Sequence, residues 1–373
     1  MKRALGWLTL ICLLVITLAC TACGLEDSPY LELQSPLFRV YRNMPRARCV
    51  YDMILWDGCL HIGAGDYTSN AGPIGMWSYD PATEQWSLNG TVQDEAITRF
   101  TVIDGRLTSP GTDPMGSWDY GNYYVLSDGT WETIRSIPGG LHNFDIAEYD
   151  GKLFVGLGVE PGGSPIACSE DGGATFVPVE MRKNGSAVVT EGEFIRVYDL
   201  FVHQNKLYAA FWQKNGSAEP TYDLYRYENG VFLFDNQWYG KLASRAYTSG
   251  IIGAKAEFKG SLFFTTGYLY VTADMSTLKR TSLPKEELVV DLLVHEEKLY
   301  ALSGRTLEDG TYRISIWENA TGKYASFKKT ATLTYQAPPL SFAYDGSTFY
   351  IGTGNVHADL EKNGMILVVP YEK

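Results

Sequence analysis

Aromatic side chains and carboxylates occur close together in several long polar segments of this sequence. An aromatic face can stack on a sugar ring while a neighbouring carboxylate accepts hydroxyl hydrogen bonds, and the same pair can anchor a peptide. The alternative for any single aromatic residue is packing against its own strand. The candidate ligand-binding residues are Asp66, Tyr67, Trp118, Asp119, Tyr120, Trp212 and Tyr222, with Trp238, Tyr239, His357 and Asp359 in segments of the same kind.

Motifs of several enzyme classes are missing from the sequence. It contains no G-x-S-x-G elbow, H-E-x-x-H helix, P-loop or dinucleotide fingerprint, and no ligand spacing typical of a metal site. We therefore predict no cofactor, no metal and no assigned catalytic residue. Catalysis stays open, because Asp66, Asp119 or Asp359 could serve a polysaccharide hydrolase or lyase if their separation suits it.

The elements that must position these residues follow from an internal repeat. An apolar strand, a tight turn and a second strand recur seven times, at a mean spacing of 48 residues. The turns lie at Gly58, Gly105, Gly151, Asn205, Gly260, Glu297 and Gly346. A second hairpin usually follows each copy, and two hairpins per repeat make a four-stranded blade.

The repeat predicts an all-β fold, a seven-bladed β-propeller of four-stranded antiparallel blades. The last copy is one strand short, so we expect an N-terminal strand within 36–42 to complete it and close the ring. The tight turns then lie on one face and the long segments on the other. An irregular pair of β-sandwiches is the alternative fold.

Two segments resemble known propeller families. Residues 79–86 (YDPATEQW) are similar to the outer strands of a kelch repeat, although the Gly-Gly doublet of that family is missing. Residues 169–176 (SEDGGATF) are similar to the Asp-box of BNR and sialidase-like propellers. This resemblance implies a structural role for Ser169, Asp171, Gly173, Thr175 and Phe176, in which the carboxylate locks the hairpin and the aromatic ring packs in the core.

The N-terminus carries an export signal. Two basic residues precede the 15 apolar residues 4–18, which are too few for a stable membrane-spanning helix. The following ACTACG resembles the lipobox of bacterial lipoproteins, which implies diacylation of Cys23, with Cys20 as the competitor; an ordinary cleaved signal peptide is the alternative. The predicted domains are a signal peptide (1–22), a lipid-anchored linker (23–35) and the propeller (36–373).

Charge and cysteine content limit the possible partners. The net charge of −12 argues against nucleic acid, since the phosphate backbone favours clustered Lys and Arg. Outside the leader, Cys49, Cys59 and Cys168 lie in apolar contexts, and we predict small buried residues rather than a disulfide.

The sequence as a whole predicts an exported monomer, held by lipid at the cell membrane or outer envelope. We expect it to act as a binding or assembly module for a glycan or an extracellular protein, at the face that carries the long segments. The alternatives are a polysaccharide-active enzyme on the same face and a purely structural spacer in an envelope complex.

Overall fold

The computed structural model of the protein describes residues 27–69, 71–159, 163–188, 194–214, 221–236 and 253–371. These residues form 32 β-strands, a four-residue α-helix and a four-residue 3-10 helix. The predicted all-β class is therefore confirmed. Within the described ranges, none of the helices has the length and apolar character needed to cross a bilayer. Cys20, Cys23, Trp238 and Tyr239 lie outside these ranges.

Five separate antiparallel sheets have four strands each and form blades. The first contains β2 (Asp52–Trp56), β3 (Cys59–Gly63), β4 (Ile74–Asp80) and β5 (Gln85–Val92). The second contains β7 (Thr101–Ile103), β8 (Arg106–Pro110), β10 (Tyr120–Ser127) and β11 (Thr130–Pro138). The third contains β22 (Lys255–Phe258), β23 (Ser261–Thr266), β24 (Tyr268–Thr272) and β25 (Lys279–Arg280). The fourth contains β26 (Leu288–His295), β27 (Lys298–Thr306), β28 (Tyr312–Asn319) and β29 (Lys328–Tyr335).

The fifth blade joins the two ends of the described chain. It contains β30 (Pro339–Tyr344), β31 (Thr348–Thr353) and β32 (Met365–Pro370), and its outer strand is β1 (Leu31–Gln34). Leu31 pairs with Val368 and Gln34 with Met365. An N-terminal strand therefore does complete the last blade, as expected.

The segment predicted to be that strand, 36–42, is instead helical. Helix α1 (Leu37–Val40) is followed by a 3-10 helix (Pro45–Arg48). Leu37 and Tyr41 are both buried, and their spacing of four residues places them on one helical face, whereas a strand would need alternating apolar positions. The closing strand lies within the segment assigned to a linker.

The remaining strands form one sheet of twelve. Its members are β6 (Asp94–Ala96), β9 (Thr112–Pro114), β12 (His142–Tyr149), β13 (Lys152–Val159), β14 (Ile166–Ser169), β15 (Val177–Pro178), β16 (Met181–Lys183), β17 (Ser186–Ala187), β18 (Phe194–His203), β19 (Lys206–Lys214), β20 (Thr221–Glu228) and β21 (Val231–Asn236). Two copies of the repeat merge here because β13 extends far enough to pair with β18, at Gly158 and Arg196. Counted as separate four-stranded sheets, the blades therefore number five and not the predicted seven.

The tight turns follow the sequence prediction. In the hairpin β2–β3, Trp56 pairs with Cys59 across a two-residue turn, Asp57–Gly58, and both turn residues have positive φ (49° and 75°). This geometry matches the right-handed twist of the flanking strands, which is why Asp-Gly and related pairs occur at these positions. The predicted hairpin turns are confirmed.

Cores of apolar side chains fill the space between neighbouring sheets. Cys49 and Cys168 are buried, Cys59 is half-buried, and all three are free thiols, as predicted. Burial raises the pKa of the Cys49 thiol to about 12, so this thiol stays protonated and unreactive at neutral pH.

Helix α1 provides a matched pair of variants that tests its packing. Leu37 is 1% exposed and Val40 is 50% exposed. We expect Leu37→Ala to lower the free energy of unfolding by about 2–4 kcal/mol, since it leaves a cavity, and Val40→Ala by less than about 0.5 kcal/mol. Urea unfolding measures both. Equal losses for the two variants would contradict the buried helical face.

Candidate functional site

Aspartates in three of the inner strands connect their repeat to the next. Asp145 accepts hydrogen bonds from the backbone N–H of Ile146 (3.0 Å) and from that of Leu200 in the following copy (2.9 Å). Asp291 makes the same pair of contacts with Leu292 and Phe342 (2.8 and 2.9 Å). We call this arrangement the inter-unit latch.

Asp52 forms a third latch, to Met53 (2.8 Å) and to Phe100 of the next copy (2.5 Å). In the last blade, the hydroxyl of Ser341 donates to the backbone carbonyl of Val50 (2.9 Å) and so connects that blade to the first. Each latch provides a hydrogen-bond partner for backbone groups at the junction of two repeats, because these groups have no partner within either sheet.

The inner strands enclose a central cavity of about 700 Å³. One side of its wall is balanced in charge: Arg99 contacts Asp145 (2.7 Å) and Asp199 (2.9 Å), and Lys255 contacts the same two carboxylates. Burial by itself raises the pKa of Asp145, but Arg99 and Lys255 hold it below its ordinary value.

On the other side of the cavity, burial is the largest influence on the pKa values of Asp52 and Asp291. It raises the pKa of Asp52 to about 6, despite the hydrogen bonds from Phe100 and Met53. The pKa of Asp291 is raised well above its ordinary value, first by burial and then by the neighbouring Asp52 carboxylate. Asp52 therefore titrates under mildly acidic conditions, and burial together with the Asp52 charge makes Asp291 favour its protonated form more than an ordinary aspartate does.

The raised pKa of Asp52 predicts how stability depends on pH. Because the pKa of Asp52 is higher in the folded state, the protonated carboxyl stabilises the fold. This stabilisation is complete below the pKa of Asp52 in the unfolded chain, near 3.8, and is lost as the pH rises through about 6. We therefore expect the melting temperature of Asp52→Asn, relative to the wild type, to rise between about pH 4.5 and about pH 7.5. Asp57→Asn, in an exposed turn, is the control. A difference that does not change with pH would contradict the raised pKa.

A group of aromatic residues lies next to the cavity: Tyr51 lines it, and Phe144 directly precedes Asp145 in its wall. Four inner strands have a β-bulge just before the recurring aspartate, or the serine that replaces it in the last blade. Phe144 and Tyr198 are the extra residues in two of them. A bulge bends the strand and redirects the side chain, and here the two rings meet at 4.6 Å. The ring centroid of Tyr198 lies 6.3 Å from that of Trp212.

Tyr51 occupies the corresponding position before Asp52 and lies 6.3 Å from the ring of Tyr67. Burial raises the pKa of Tyr67, with Tyr198 and Asp66 adding to the rise and Arg196 opposing it, so the tyrosine lies within range of their charges. We call the group Tyr51, Tyr67, Phe144, Arg196, Tyr198 and Trp212 the aromatic mouth.

Arg196 lies among the rings of the aromatic mouth. Its guanidinium carbon is 5.5 Å from the ring centroid of Trp212, 5.8 Å from that of Phe144 and 6.0 Å from that of Tyr198. Its Nη1 donates a hydrogen bond to the hydroxyl of Tyr198 (3.1 Å). The rings attract the cation through their quadrupoles and so fix its position.

Carboxylates surround the aromatic mouth. Asp66 is buried, accepts a hydrogen bond from the backbone N–H of Thr68 (2.9 Å) and lies 3.8 Å from Arg46. Asp113 shares a hydrogen bond with Nδ1 of His142. Burial, followed by the charges of Asp113 and Asp66, raises the pKa of Glu95 to about 7.

The structure brings together only some of the predicted ligand-binding residues. Tyr67 and Trp212 belong to the aromatic mouth and Asp66 lies beside it. Tyr222 pairs with Trp212 across the β19–β20 ladder, but it packs on a core cluster and is not part of the aromatic mouth. Asp359 contacts Arg46 at 3.4 Å.

Trp118, Asp119 and Tyr120 lie elsewhere. Trp118 (58% exposed) and Asp119 line a separate groove of about 540 Å³. The Asp119 carboxylate contacts Ser117, and Tyr120 is exposed. Asp66, beside the aromatic mouth, and Asp119, in this groove, thus belong to different sites. Across the described ranges, no three His, Cys, Asp or Glu side chains are arranged to hold a metal ion.

Sequence reasoning did not select Phe144, Arg196, Tyr198, Asp113 or His142. One signal was present in the repeat: an aromatic residue directly precedes the inner-strand aspartate in three copies, as Tyr51-Asp52, Phe144-Asp145 and Tyr198-Asp199. Aligning the copies on the aspartate would have found these aromatic residues.

The segment 169–176 has the internal hydrogen bonds of a locked hairpin. Asp171 accepts from the backbone N–H (2.9 Å) and the hydroxyl (2.6 Å) of Thr175 and from the hydroxyl of Ser169 (2.7 Å), and these bonds lower its pKa to about 2. The hydroxyl of Ser169 accepts from the N–H of Gly173 (2.8 Å), and Phe176 is buried. The side chains of Ser169, Asp171 and Thr175 thus hydrogen-bond within the motif, which fits the structural role that its resemblance implies.

Comparison with known proteins identifies the fold. No family model matches the sequence, and no curated protein matches it. Among solved structures, the WD40 β-propeller domain of Doa1 is similar, with a TM-score of 0.53, 16% identity and coverage of 93% of this chain and 98% of that one. A chain of the mitotic checkpoint complex gives a TM-score of 0.50, with 11% identity over 93% of each chain.

A bacterial structure is also similar. PorZ, described as an essential surface component of the type-IX secretion system of Porphyromonas gingivalis, gives a TM-score of 0.52 at 14% identity. The match covers 86% of this chain and 46% of PorZ, so less than half of that protein is matched. The protein is a β-propeller with four-stranded antiparallel blades.

Proposed function

We propose that the protein is a protein-binding propeller that holds a segment of its partner at the aromatic mouth. The single observation that carries this proposal is Arg196, a half-buried guanidinium positioned by Phe144, Tyr198 and Trp212 on β18, one of the strands that line the central cavity. Arginine and large aromatic residues provide most of the binding energy in protein interfaces, above all where they are positioned before the partner arrives.

The similar structures support this type of function. One belongs to the mitotic checkpoint complex and another is a component of a secretion system, so both come from assemblies. At identities below 25% they support only the use of this fold as a scaffold, and the choice of the aromatic mouth comes from the geometry of this chain.

The number of units around the cavity is part of the same proposal. Within the twelve-stranded sheet, β12–β15 and β18–β21 are two successive runs of four antiparallel strands. We propose that each run acts as one blade, so that seven units surround the cavity. Residues from all seven inner strands β2, β7, β12, β18, β22, β26 and β30 line it, which supports this count.

We propose further that the protein is exported and anchored at the cell membrane or outer envelope by diacylation. The support is the sequence alone: the basic start, the apolar residues 4–18 and the small residues around Cys23. Two or three acyl chains would give stable attachment, since each buried CH₂ contributes about 0.8 kcal/mol. A partner reached from this position would be another envelope or extracellular protein.

The proposed ligand class can be tested by presenting the purified protein with a displayed random peptide library and a glycan array. We expect peptides to be enriched, and Trp212→Ala to weaken the binding of the selected peptides by at least about tenfold. Trp118→Ala, which removes an exposed indole outside the aromatic mouth, is the control and should leave affinity unchanged.

Trp212→Phe and the melting temperature of each variant separate loss of the site from loss of the fold. Peptides that bind Trp212→Ala and Tyr67→Ala as well as the wild type would reject the mouth as the binding site. If the protein binds glycans on the array and selects no peptides, the ligand is a glycan and not a protein segment. Turnover of a bound glycan would indicate a polysaccharide-active enzyme.

The anchor can be tested by expressing the full chain, Cys23→Ser and Cys20→Ser in a bacterium supplied with labelled palmitate. We expect label in the wild type and in Cys20→Ser and none in Cys23→Ser, because the acyl chains attach through the thiol of the mature N-terminus. Label lost only in Cys20→Ser would move the site to the competitor, and an unlabelled wild type would exclude the anchor.

A further inference from the structure

We infer that Arg196 receives a single carboxylate of the partner peptide, and that the residues flanking this carboxylate are uncharged or basic. This inference rests on the proposed function and adds the chemistry of the ligand. It comes from three features of the aromatic mouth: unused donors on the guanidinium, rings that fix its orientation, and the distribution of charge around it.

Arg196 has hydrogen-bond donors to spare. A guanidinium carries five N–H groups, and the side-chain partner found for Arg196 is the hydroxyl of Tyr198. Considering only the described residues, no carboxylate oxygen lies within 4.0 Å of its nitrogens. By contrast, Arg99 and Arg226 each have a carboxylate partner within the chain.

The aromatic rings prepare this guanidinium for a planar anion. Rings on several sides restrict its orientation and exclude part of the surrounding water, which strengthens any hydrogen bond that it makes. A carboxylate can accept two parallel N–H bonds from an arginine, a geometry that a lysine does not offer. The site therefore favours a carboxylate over a neutral acceptor.

The charges around Arg196 limit the ligand to one negative group. The charges of Asp66 and Asp113 act on Tyr67, as the charge of Arg196 does, and they also act on Glu95. Arg46 is 3.8 Å from Asp66, and His142 contacts Asp113. A second negative charge on the ligand would meet these carboxylates, while a basic neighbour would be attracted to them. A peptide of mixed charge satisfies both conditions, whereas a polyuronate, a nucleic acid or an anionic lipid surface presents repeated negative charge.

The experiment uses the peptides selected from the displayed library. Each is synthesised with its carboxylates intact, with Asp and Glu changed one at a time to Asn and Gln, and with an amidated C-terminus. The wild type, Arg196→Met, Arg196→Lys and Trp118→Ala are the binding proteins, and the melting temperature of each confirms that it is folded.

We expect one amide substitution to weaken binding to the wild type by about tenfold and to have no effect on Arg196→Met, as a double-mutant cycle requires for a direct contact. Arg196→Lys should recover only part of the affinity, and Trp118→Ala should behave as the wild type. The position of the sensitive amide tells a side-chain carboxylate from a C-terminal one.

Several results would overturn the inference. Amide peptides that bind the wild type as tightly as the acids would exclude a carboxylate. Equal losses on the wild type and on Arg196→Met would place the carboxylate at another residue, and polygalacturonate displacing the peptides would favour a polyanionic glycan. If Trp212→Ala still weakens binding of the selected peptides in these cases, the aromatic mouth remains the proposed binding site and only the carboxylate contact at Arg196 is rejected. If Trp212→Ala has no effect, the proposed function is rejected as well.

Discussion

The inter-unit latch is the interaction on which the rest of the structure depends. A hairpin satisfies its own backbone groups, but the groups at the junction of two repeats need a partner outside either sheet. Asp52, Asp145 and Asp291 provide it by accepting an N–H from their own strand and another from the next repeat. The arrangement requires buried carboxylates. Arg99 and Lys255 compensate Asp145 and Asp199, whereas burial raises the pKa of Asp52 and Asp291.

The aromatic mouth follows from the same strands. The residue before the inner-strand aspartate, Asp145 in β12 and Asp199 in β18, is a bulge. A bulge redirects the side chain, and here it brings the rings of Phe144 and Tyr198 together. One short stretch of strand therefore has two roles: in β12 the aspartate holds neighbouring repeats together, and the aromatic residue before it belongs to the proposed binding surface. A scaffold that positions aromatic residues and an arginine before the partner arrives lowers the entropic cost of binding.

Binding residues were harder to predict than the fold. Tyr67 and Trp212 were identified because they lie in long segments, and the same criterion selected Trp118, which lies in another groove. Arg196 occurs within a regular strand, where alternating apolar residues indicate only a sheet. Its importance comes from Phe144, about 50 residues earlier in the chain, and from Trp212 on the neighbouring strand. Those contacts form only after the sheets pair.

The sequence by itself determined the all-β class, the repeated hairpin and its turns, because Asp-Gly turns and alternating apolar residues act over a few neighbouring positions. Tertiary structure decided which N-terminal segment closes the last blade, that two repeats merge into one sheet, and which charges meet in the cavity. The contact from the hydroxyl of Ser35 to the carbonyl of Gly364 spans 329 residues of the chain. Such pairings depend on competition between many strands of similar character, and no local pattern of residues distinguishes the strands that pair from the others.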